Sequence, residues 1–299
     1  GDCQSPRRCA CPGAESQLPV NILYLCQYFV PEPAAPAARV SELSRAWVRA
    51  GHNVTVLTGM PNHPTGIVPD KYRGRLLARE HMDGIMVLRN WLYATPNQGF
   101  AKKTLSHLSF MLSAVLLGLP RAGRADVLIV SSPAFFSVFS ALLISRLRRI
   151  PFIFEVRDLW PAVFVDLGVL TNPLLIKFLE YWEMFLYRRA ARVVTVTESF
   201  RRVLVERGLP ARKVVTIPNG VRVDFFLPGE RENAVRSEHG LTGRFVVSYL
   251  GAHGISHGVE IVLRAADILR DRSDIVFLLA GEGAMKKRLL ELKERMALE

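Results

Sequence analysis

Cysteine is scarce in this sequence of 299 residues, and its placement excludes several kinds of protein. Three of the four cysteines, Cys3, Cys9 and Cys11, lie near the start of the chain, and Cys26 falls in an apolar stretch. No pair has the CxxC spacing of redox motifs and zinc sites. The sequence therefore predicts no disulfide scaffold, and the pattern is typical of a protein of the reducing cytoplasm.

Long apolar runs and targeting signals are also missing. No run of 18 apolar residues occurs, so the sequence predicts no membrane-spanning helix. Residues 1–19 lack the apolar core of a signal peptide, and we expect a disordered tail there.

Two signatures of nucleotide enzymes are absent as well. The segment Gln27–Arg39 follows the first predicted strand and contains no glycine, and Gly281-Glu-Gly283 lacks the third glycine of G-x-G-x-x-G. Both facts argue against a dinucleotide-dependent dehydrogenase. No D-x-D sequence occurs, which argues against a diphosphate bridged by a metal. We therefore expect neither a metal nor a cofactor.

What the sequence does contain is a regular alternation of apolar strands and amphipathic helices. Strands are predicted at residues 20–26, 54–58, 85–89, 127–131, 152–156, 193–196, 214–217, 245–250 and 275–280. This alternation predicts an α/β protein whose parallel sheet is covered by helices on both faces. Residues 20–225 suffice for a complete domain, 226–244 is a polar linker, and 245–299 is too short for more than the start of a second α/β domain.

The chain is organised around the stretch from Phe245 to Gly258. An apolar strand ends at a glycine, a loop with three glycines and two histidines follows, and a helix begins near Gly258. Such a loop points free backbone N–H groups and a helix dipole above the strand end, which predicts an anion site. Its candidate residues are Gly251, His253, Gly254, His257 and Gly258, with Glu282 in the loop after the next strand. The alternative is that both histidines only cap the loop.

A second set of candidates lies in the first domain. Glu155, Arg157 and Asp158 come just after a predicted strand, where open α/β sheets bind ligands. A carboxylate there, Asp158 or Glu155, can orient an attacking hydroxyl, and Arg157 can hold a phosphate. The alternative is an internal Arg157–Asp158 ion pair that stabilises the turn.

Three further residues are weaker candidates. Glu32 and Arg39 flank a loop rich in proline and alanine. Because the loop has no glycine, its backbone approaches a ligand less freely, and its role can be limited to the shape of the site. His63 lies in a proline-rich loop and can touch a substrate, although loop histidines are more often solvated.

The net positive charge comes entirely from the first part of the chain. Residues 1–225 contain 28 Lys and Arg against 16 Asp and Glu, whereas residues 226–299 contain 11 of each, and the net charge is +12. This asymmetry predicts an anionic partner. Two apolar segments flanked by cations, Leu105–Leu119 and Phe135–Ile144, fit buried helices, and with the basic segment Lys71–Arg79 they also fit adhesion to an anionic bilayer. Nucleic acid is not predicted, since the cations are scattered without interleaved aromatics.

Several motifs occur together in one order. They are Gln27-Tyr-Phe-Val-Pro-Glu-Pro33, Ala38-Arg-Val-Ser-Glu-Leu43, Gly51-His-Asn-Val-Thr-Val-Leu-Thr58, Pro61-Asn-His-Pro-Thr-Gly66, Phe154-Glu-Val-Arg-Asp-Leu-Trp-Pro161 and Ile217-Pro-Asn-Gly-Val221. With these motifs the chain resembles the family 4 glycosyltransferases of the GT-B fold over residues 20–299. The resemblance is greatest to the WbuB-like and colanic-acid subgroup, which makes bacterial surface polysaccharides.

The resemblance implies two Rossmann-like domains, of which the second is incomplete here. It also implies retaining transfer of a sugar from a nucleotide-sugar, without a metal, to a glycan or polyprenyl-linked acceptor. The glycine-loop residues would then bind the donor, and Glu32, Arg39, His63 and Arg157 the acceptor. Many members have Arg and Lys where Ala252 and His257 stand in this sequence.

We expect a cytoplasmic protein, and the apolar and basic segments leave open the alternative that it is peripheral on the inner face of the plasma membrane. The resemblance places the family's E(x)7E glutamates, which contact the donor, in the second half of the C-terminal domain. That region is absent from this sequence, so we expect this chain by itself to be weak or inactive. The rival hypotheses are a GT-B sugar-nucleotide epimerase and a non-catalytic binding fragment.

Overall fold

The computed structural model describes residues 18–63, 65–95, 100–132 and 135–298, which form two compact units. Unit 1 contains the described residues up to Asp166 together with Leu170–Pro218, and unit 2 contains Leu167–Val169 and the residues from Asn219 onward. The boundary thus lies at Pro218, seven residues before the predicted end of the first domain. Most of the predicted tail, residues 1–17, lies outside the described residues.

Unit 1 is built on an eight-stranded sheet with the order β3-β4-β2-β1-β5-β6-β7-β8. Its strands are β1 (Asn21–Leu25), β2 (Asn53–Gly59), β3 (Leu77–Met82), β4 (Ile85–Asn90), β5 (Val127–Ser131), β6 (Phe152–Val156), β7 (Arg192–Thr195) and β8 (Val214–Thr216). All neighbouring strands are parallel except β3 and β4.

The antiparallel edge strand β3 corrects the sequence analysis, which predicted no strand there. Asp83 and Gly84 join β3 to β4 with φ angles of 51° and 77°. Positive φ at both central residues is the requirement of a tight hairpin turn, and an Asp-Gly pair meets it at little cost. This dipeptide was the signal in the sequence for the hairpin.

Helices cover both faces of the sheet in unit 1. They are α1 (Ala35–Arg49), α2 (Phe100–Ser113), α3 (Phe135–Arg148), α4 (Ala162–Asp166), α5 (Pro173–Arg189) and α6 (Glu198–Glu206). Helix α1 packs its Val40 against Tyr24 and Val56 on one face. The other face is buried under α2, α3, α5 and α6, which contribute Phe110, Ala141, Leu186 and Leu204 to the larger core.

Helix ends follow local chemistry. Asn172 caps α5 by accepting hydrogen bonds from the N–H groups of Leu174 and Leu175 at 3.0 and 3.2 Å, and Pro173 occupies the first turn. Helix α2 continues past Ser113 into a wider turn, Ala114–Gly118. A Cβ at Gly118 would lie 2.5 Å from Leu57 Cδ1, so this turn packs closely on the sheet.

Unit 2 has two parallel strands, β9 (Phe245–Leu250) and β10 (Ile275–Ala280), paired along their whole length. Its helices are α7 (Ala234–Glu238), α8 (Glu260–Ile268) and α9 (Lys286–Arg295). Val259, Leu263 and Leu289 form a small core against the strands. Helix α7 lies within the predicted linker 226–244, where Asn233 caps it through the N–H of Arg236 at 3.2 Å.

Candidate functional site

The strand order of unit 1 defines a crevice. From β1 the sheet continues to β2 on one side and to β5 on the other, so the order reverses between β1 and β5. Open α/β sheets bind ligands beyond the carboxyl ends of the strands at such a reversal. The segments that leave the sheet there begin at Cys26 after β1 and at Ser132 after β5, with Arg157 beside them after β6.

Glu155, in the last part of β6, is the centre of a buried polar cluster and is 4% exposed. Tyr24 Oη donates a hydrogen bond to Oε2 at 2.7 Å, and Arg39 on α1 donates from Nε and Nη2 to Oε1 at 2.9 and 2.5 Å. Burial, followed by the charge of Glu155, raises the pKa of Tyr24 well above its ordinary value, so the phenol stays protonated. The predicted residues Glu155 and Arg39 thus bind each other, and they position the carboxyl edge of the sheet.

Arg157 and Asp158 do not form the ion pair that was the alternative for them, so that alternative is wrong for these two described residues. Ser132 Oγ instead accepts hydrogen bonds from the backbone N–H groups of Arg157 at 2.8 Å and of Asp158 at 3.3 Å. Asp158 is exposed. The guanidinium Nε and Nη1 of Arg157 are shielded from solvent and have no hydrogen-bond partner among the described residues. A cation with free donors beside the crevice is an anion-binding group.

Glu32 connects the two loops that follow β1 and β2. Its Oε1 accepts hydrogen bonds from the N–H groups of Asn62 and His63, both at 2.9 Å, and Oε2 accepts from Phe29 N–H at 3.2 Å. Burial raises the pKa of Glu32, although these three donors and Arg89 oppose the shift. Because both oxygens are engaged, Glu32 can act on an acceptor only through the loops that it fixes.

His63 lies half-buried in the second of these loops, and its ring meets Tyr28 edge-on at 5.4 Å between centroids. Burial, and then the charge of Lys103, lower the pKa of His63. The ring is therefore neutral near pH 7 and can donate or accept one hydrogen bond.

In unit 2 the predicted glycine loop is joined to the loop after β10. The N–H of His253 donates to Glu282 O at 2.9 Å, and Met285 N–H donates to His253 O at 2.9 Å. A Cβ at Gly281 would lie 1.7 Å from Gly251 O, so only glycine fits there. Helix α8 begins at Glu260, two residues after Gly258 and thus near the predicted start, and Gly258 itself has a φ of 59° and ends the short turn Ile255–His257.

The two histidines of this loop have different surroundings. His257 is exposed at the mouth of the loop, and the space that Gly254 leaves open is filled by its imidazole, since a Cβ there would lie 2.8 Å from His257 Nδ1. His253 is 3% exposed and lines a cavity of about 320 Å³ with Val259, Leu279 and Lys286. Burial, then Lys286, lower the pKa of His253. Only His257 is therefore placed to meet a ligand from solvent.

The structure also describes residues that sequence reasoning missed. Tyr24 and Ser132 are the direct partners of Glu155 and of the Arg157–Asp158 backbone. Ser132 directly follows an apolar strand, which was the available signal, whereas nothing local marks Tyr24. Within the described ranges, no group of three or more His, Cys, Asp or Glu is placed to hold a metal ion. Within the same ranges, no helix is long and apolar enough to cross a membrane.

The comparisons with solved structures concern the fold alone, because all identities are low. Anabaena Alr3699/HepE in complex with UDP and glucose has a TM-score of 0.62 at 16% identity, covering 94% of this chain and 67% of that one. Sucrose-phosphate synthase from Thermosynechococcus elongatus has a TM-score of 0.69 at 16% identity, covering 93% and 68%. The catalytic domain of starch synthase IV from Arabidopsis thaliana, bound to ADP and acarbose, has a TM-score of 0.63 at 14% identity, covering 93% and 71%. The predicted GT-B fold class with Rossmann-like units is confirmed.

Sequence comparison identifies the family. The putative colanic acid biosynthesis glycosyl transferase WcaI of Escherichia coli K12 is 27% identical over 261 residues, which cover 84% of this chain. The chain spans 63% of the length of that relative. The family described as "Glycosyl transferase 4-like domain" matches residues 35–220. The chain therefore belongs to the glycosyl transferase 4-like family.

Proposed function

We propose that the full-length protein is a retaining glycosyltransferase. It moves a sugar from a nucleotide-sugar to a glycan acceptor carried on a polyprenyl lipid, in the synthesis of a bacterial surface polysaccharide such as lipopolysaccharide. The observation that carries the proposal is Arg157, whose guanidinium has two shielded donors beside the crevice of unit 1 that find no partner among the described residues. A phosphate of a lipid-linked acceptor supplies the acceptors that these donors need.

The donor side of the proposal rests on the glycine loop of unit 2. Transfer breaks the bond between the anomeric carbon and the diphosphate, whose developing negative charge needs nearby donors. The exposed His257 and the amino end of α8, two residues beyond Gly258, provide them in this chain. Relatives of the same fold were solved with UDP and glucose or with ADP, which supports a nucleotide-sugar as donor. No metal or cofactor is proposed.

The acceptor side needs a group that orients the attacking hydroxyl. Asp158 is exposed beside Arg157, and its carboxylate has no hydrogen bond or ion pair with other described residues. It can accept the hydrogen bond of the hydroxyl that attacks the anomeric carbon. Glu155, with Arg39 and Tyr24 bound to it, fixes the strand end from which Arg157 and Asp158 extend. A polyprenyl-linked acceptor would place the protein on the cytoplasmic face of the plasma membrane.

The test follows a labelled sugar. Full-length protein is incubated with nucleotide-sugars labelled in the sugar and with polyprenyl-diphosphate glycans, and the products are separated by solvent extraction. The proposal is supported if the label is found in the lipid phase and NMR shows that the new glycosidic bond has the same anomeric configuration as the donor. A labelled nucleotide-sugar whose sugar has been altered would identify an epimerase. Recovery of every labelled nucleotide-sugar without any change would identify a binding protein.

A further inference from the structure

Large apolar side chains are exposed on the outer sides of three helices of unit 1. On α2 and the turn that follows it, and on α3 and α5, nine of them are between 44% and 77% exposed. We call this set the apolar helical face: Leu105, Leu112, Leu116, Leu143, Leu147, Leu174, Leu175, Phe178 and Tyr181. Spacings of three, four and seven residues place the members from one helix along the same side of it.

The three helices lie side by side, so their outer sides form one surface. Ser140 Oγ on α3 donates a hydrogen bond to Met111 O on α2 at 3.0 Å. Phe139 on α3 meets Trp182 on α5 with ring centroids 5.6 Å apart. The inner sides of all three helices pack into the same core cluster beneath one face of the sheet. The exposed side chains therefore point away from one layer, in a common direction.

Two other helices of unit 1 do not share this exposure. Among the described residues, neither α1 nor α6 exposes a single large apolar side chain, although both pack on the same sheet. The exposed positions of α6 are Glu198, Ser199, Arg202 and Glu206, whereas those of α1 are three alanines and Arg49. Scattered exposed leucines are normal in proteins, but a contiguous set on adjacent helices marks an interaction surface.

Charge identifies the occupant of this surface. Residues 100–150 contain seven Lys and Arg and one acidic residue, Asp126, which lies outside the helices and is paired with Arg124 at 3.4 Å. Helix α5 adds Lys177, Arg188 and Arg189 against Glu180 and Glu183, and Glu183 is paired with Arg207 at 2.8 Å. Cations lie at the ends of the helices, with Lys102 at the start of α2 and Arg146 in the last turn of α3. A second copy of this chain would bring the same excess of positive charge against itself. An anionic lipid surface offers both apolar depth and the opposite charge.

We propose that the apolar helical face docks this protein on an anionic bilayer, with α2, α3 and α5 lying in the plane of the membrane. The leucines and Phe178 enter the boundary between headgroups and acyl chains, and the flanking cations contact lipid phosphates. Tyr181, at 65% exposure, has the apolar ring and polar tip that prefer the interface. The inference rests on the proposed function only in that a polyprenyl-linked acceptor resides in such a bilayer.

The test is co-sedimentation of the full-length protein with vesicles of phosphatidylcholine, alone or mixed with phosphatidylglycerol, at low and high salt. The triple variant Leu112→Ser/Leu116→Ser/Phe178→Ser should bind mixed vesicles about tenfold more weakly or worse. The matched control is Val235→Ser/Ile268→Ser, which changes apolar side chains that are 56% and 81% exposed on helices of unit 2. It should bind like the wild type. Arg146→Gln/Lys177→Gln should weaken binding only to the mixed vesicles.

Several results would overturn the inference. One is that the wild-type protein does not bind vesicles containing phosphatidylglycerol at low salt. Another is that the triple variant is folded, as judged by circular dichroism, and binds these vesicles as well as the wild type does. Dimerisation that the triple variant abolishes would assign the surface to a second copy instead. Sugar transfer is measured separately, with a water-soluble acceptor analogue. Vesicle binding without transfer refutes the proposed function alone, and transfer without vesicle binding refutes the docking surface alone.

Discussion

Arg39 and Glu155 are 116 positions apart in the sequence and form a buried ion pair, with Nη2 and Oε1 separated by 2.5 Å. Their side chains are 11% and 5% exposed. The pair joins α1 to the carboxyl end of β6, and Tyr24 completes it from β1. Two charges withdrawn from water are tolerated only while each has the other, because removing one leaves an uncompensated buried charge.

Replacing Glu155 should therefore be costly. Glu155→Gln should lower the free energy of unfolding by about 3–5 kcal/mol. Urea denaturation followed by circular dichroism measures it. Asp70→Asn is the matched control, since Asp70 pairs with Arg73 while both side chains remain exposed, and such pairs contribute little. Equal effects of the two substitutions would contradict a structural role for the buried pair.

Arg157 should matter for the acceptor and not for folding. In the full-length enzyme Arg157→Ala should lower kcat/KM for the acceptor about 10- to 100-fold, since a hydrogen bond to a charged group contributes about 1.5–3 kcal/mol. The KM for the donor should not change. The melting temperature should hold, because Nε and Nη1 lose no partner. Arg212→Ala, just before β8 at the opposite end of the strands, is the control and should leave all three quantities unchanged.

His257 should act on the donor. His257→Ala should raise the transition-state free energy of transfer by about 2–4 kcal/mol, because one donor to the leaving diphosphate is lost. As a surface change it should alter stability by well under about 1 kcal/mol. Steady-state kinetics and thermal melts of the same samples measure both. His239→Ala removes another exposed histidine of unit 2 and is the control; kinetics that match it would make His257 a loop cap.

Acidification should destabilise unit 1 through His107. Burial, and then the charge of Lys103, lower the pKa of His107 to about 4, below its ordinary value of 6.5. The unfolded chain therefore binds a proton on His107 more readily than the folded chain does. The stability that neutral His107 contributes is fully present above pH 6.5 and is lost as the pH falls from 6.5 to 4. The loss should be about 2–3 kcal/mol.

Urea unfolding across that pH range measures the effect. His107→Gln should flatten this part of the profile, while His81→Gln, which changes an exposed histidine on β3, should leave it as it is. A slope that persists unchanged in the His107 variant would assign it to other groups.

Gly281 should tolerate no side chain. Gly281→Ala places a Cβ 1.7 Å from Gly251 O, so the two loops of unit 2 must separate. We expect a loss of at least about 2 kcal/mol in the stability of unit 2, together with weaker nucleotide binding measured by calorimetry. Gly220→Ala is the control, because a Cβ there meets nothing within 4 Å. Normal nucleotide affinity in the Gly281 variant would separate the loop contact from the donor site.

The sequence by itself determined most of the strands. Burial on one or both sides imposes a period on apolar residues, so strands such as β6 could be predicted closely. The glycine loop after β9 was equally visible, since glycine alone permits the close approach of Gly281 to Gly251. The candidate positions Glu155 and Arg157 followed from their place after a strand.

Only the tertiary structure decided how these elements meet. The order of strands is set by pairings between distant segments, so the reversal between β1 and β5 has no local signal. The same holds for side-chain partners. Arg39 on α1 and Tyr24 on β1 reach Glu155 at the carboxyl end of β6, and Ser132 Oγ accepts hydrogen bonds from the backbone N–H groups of Arg157 and Asp158. Which charge is neutralised within the fold and which is left for a ligand depends on contacts in space, and local sequence patterns do not encode them.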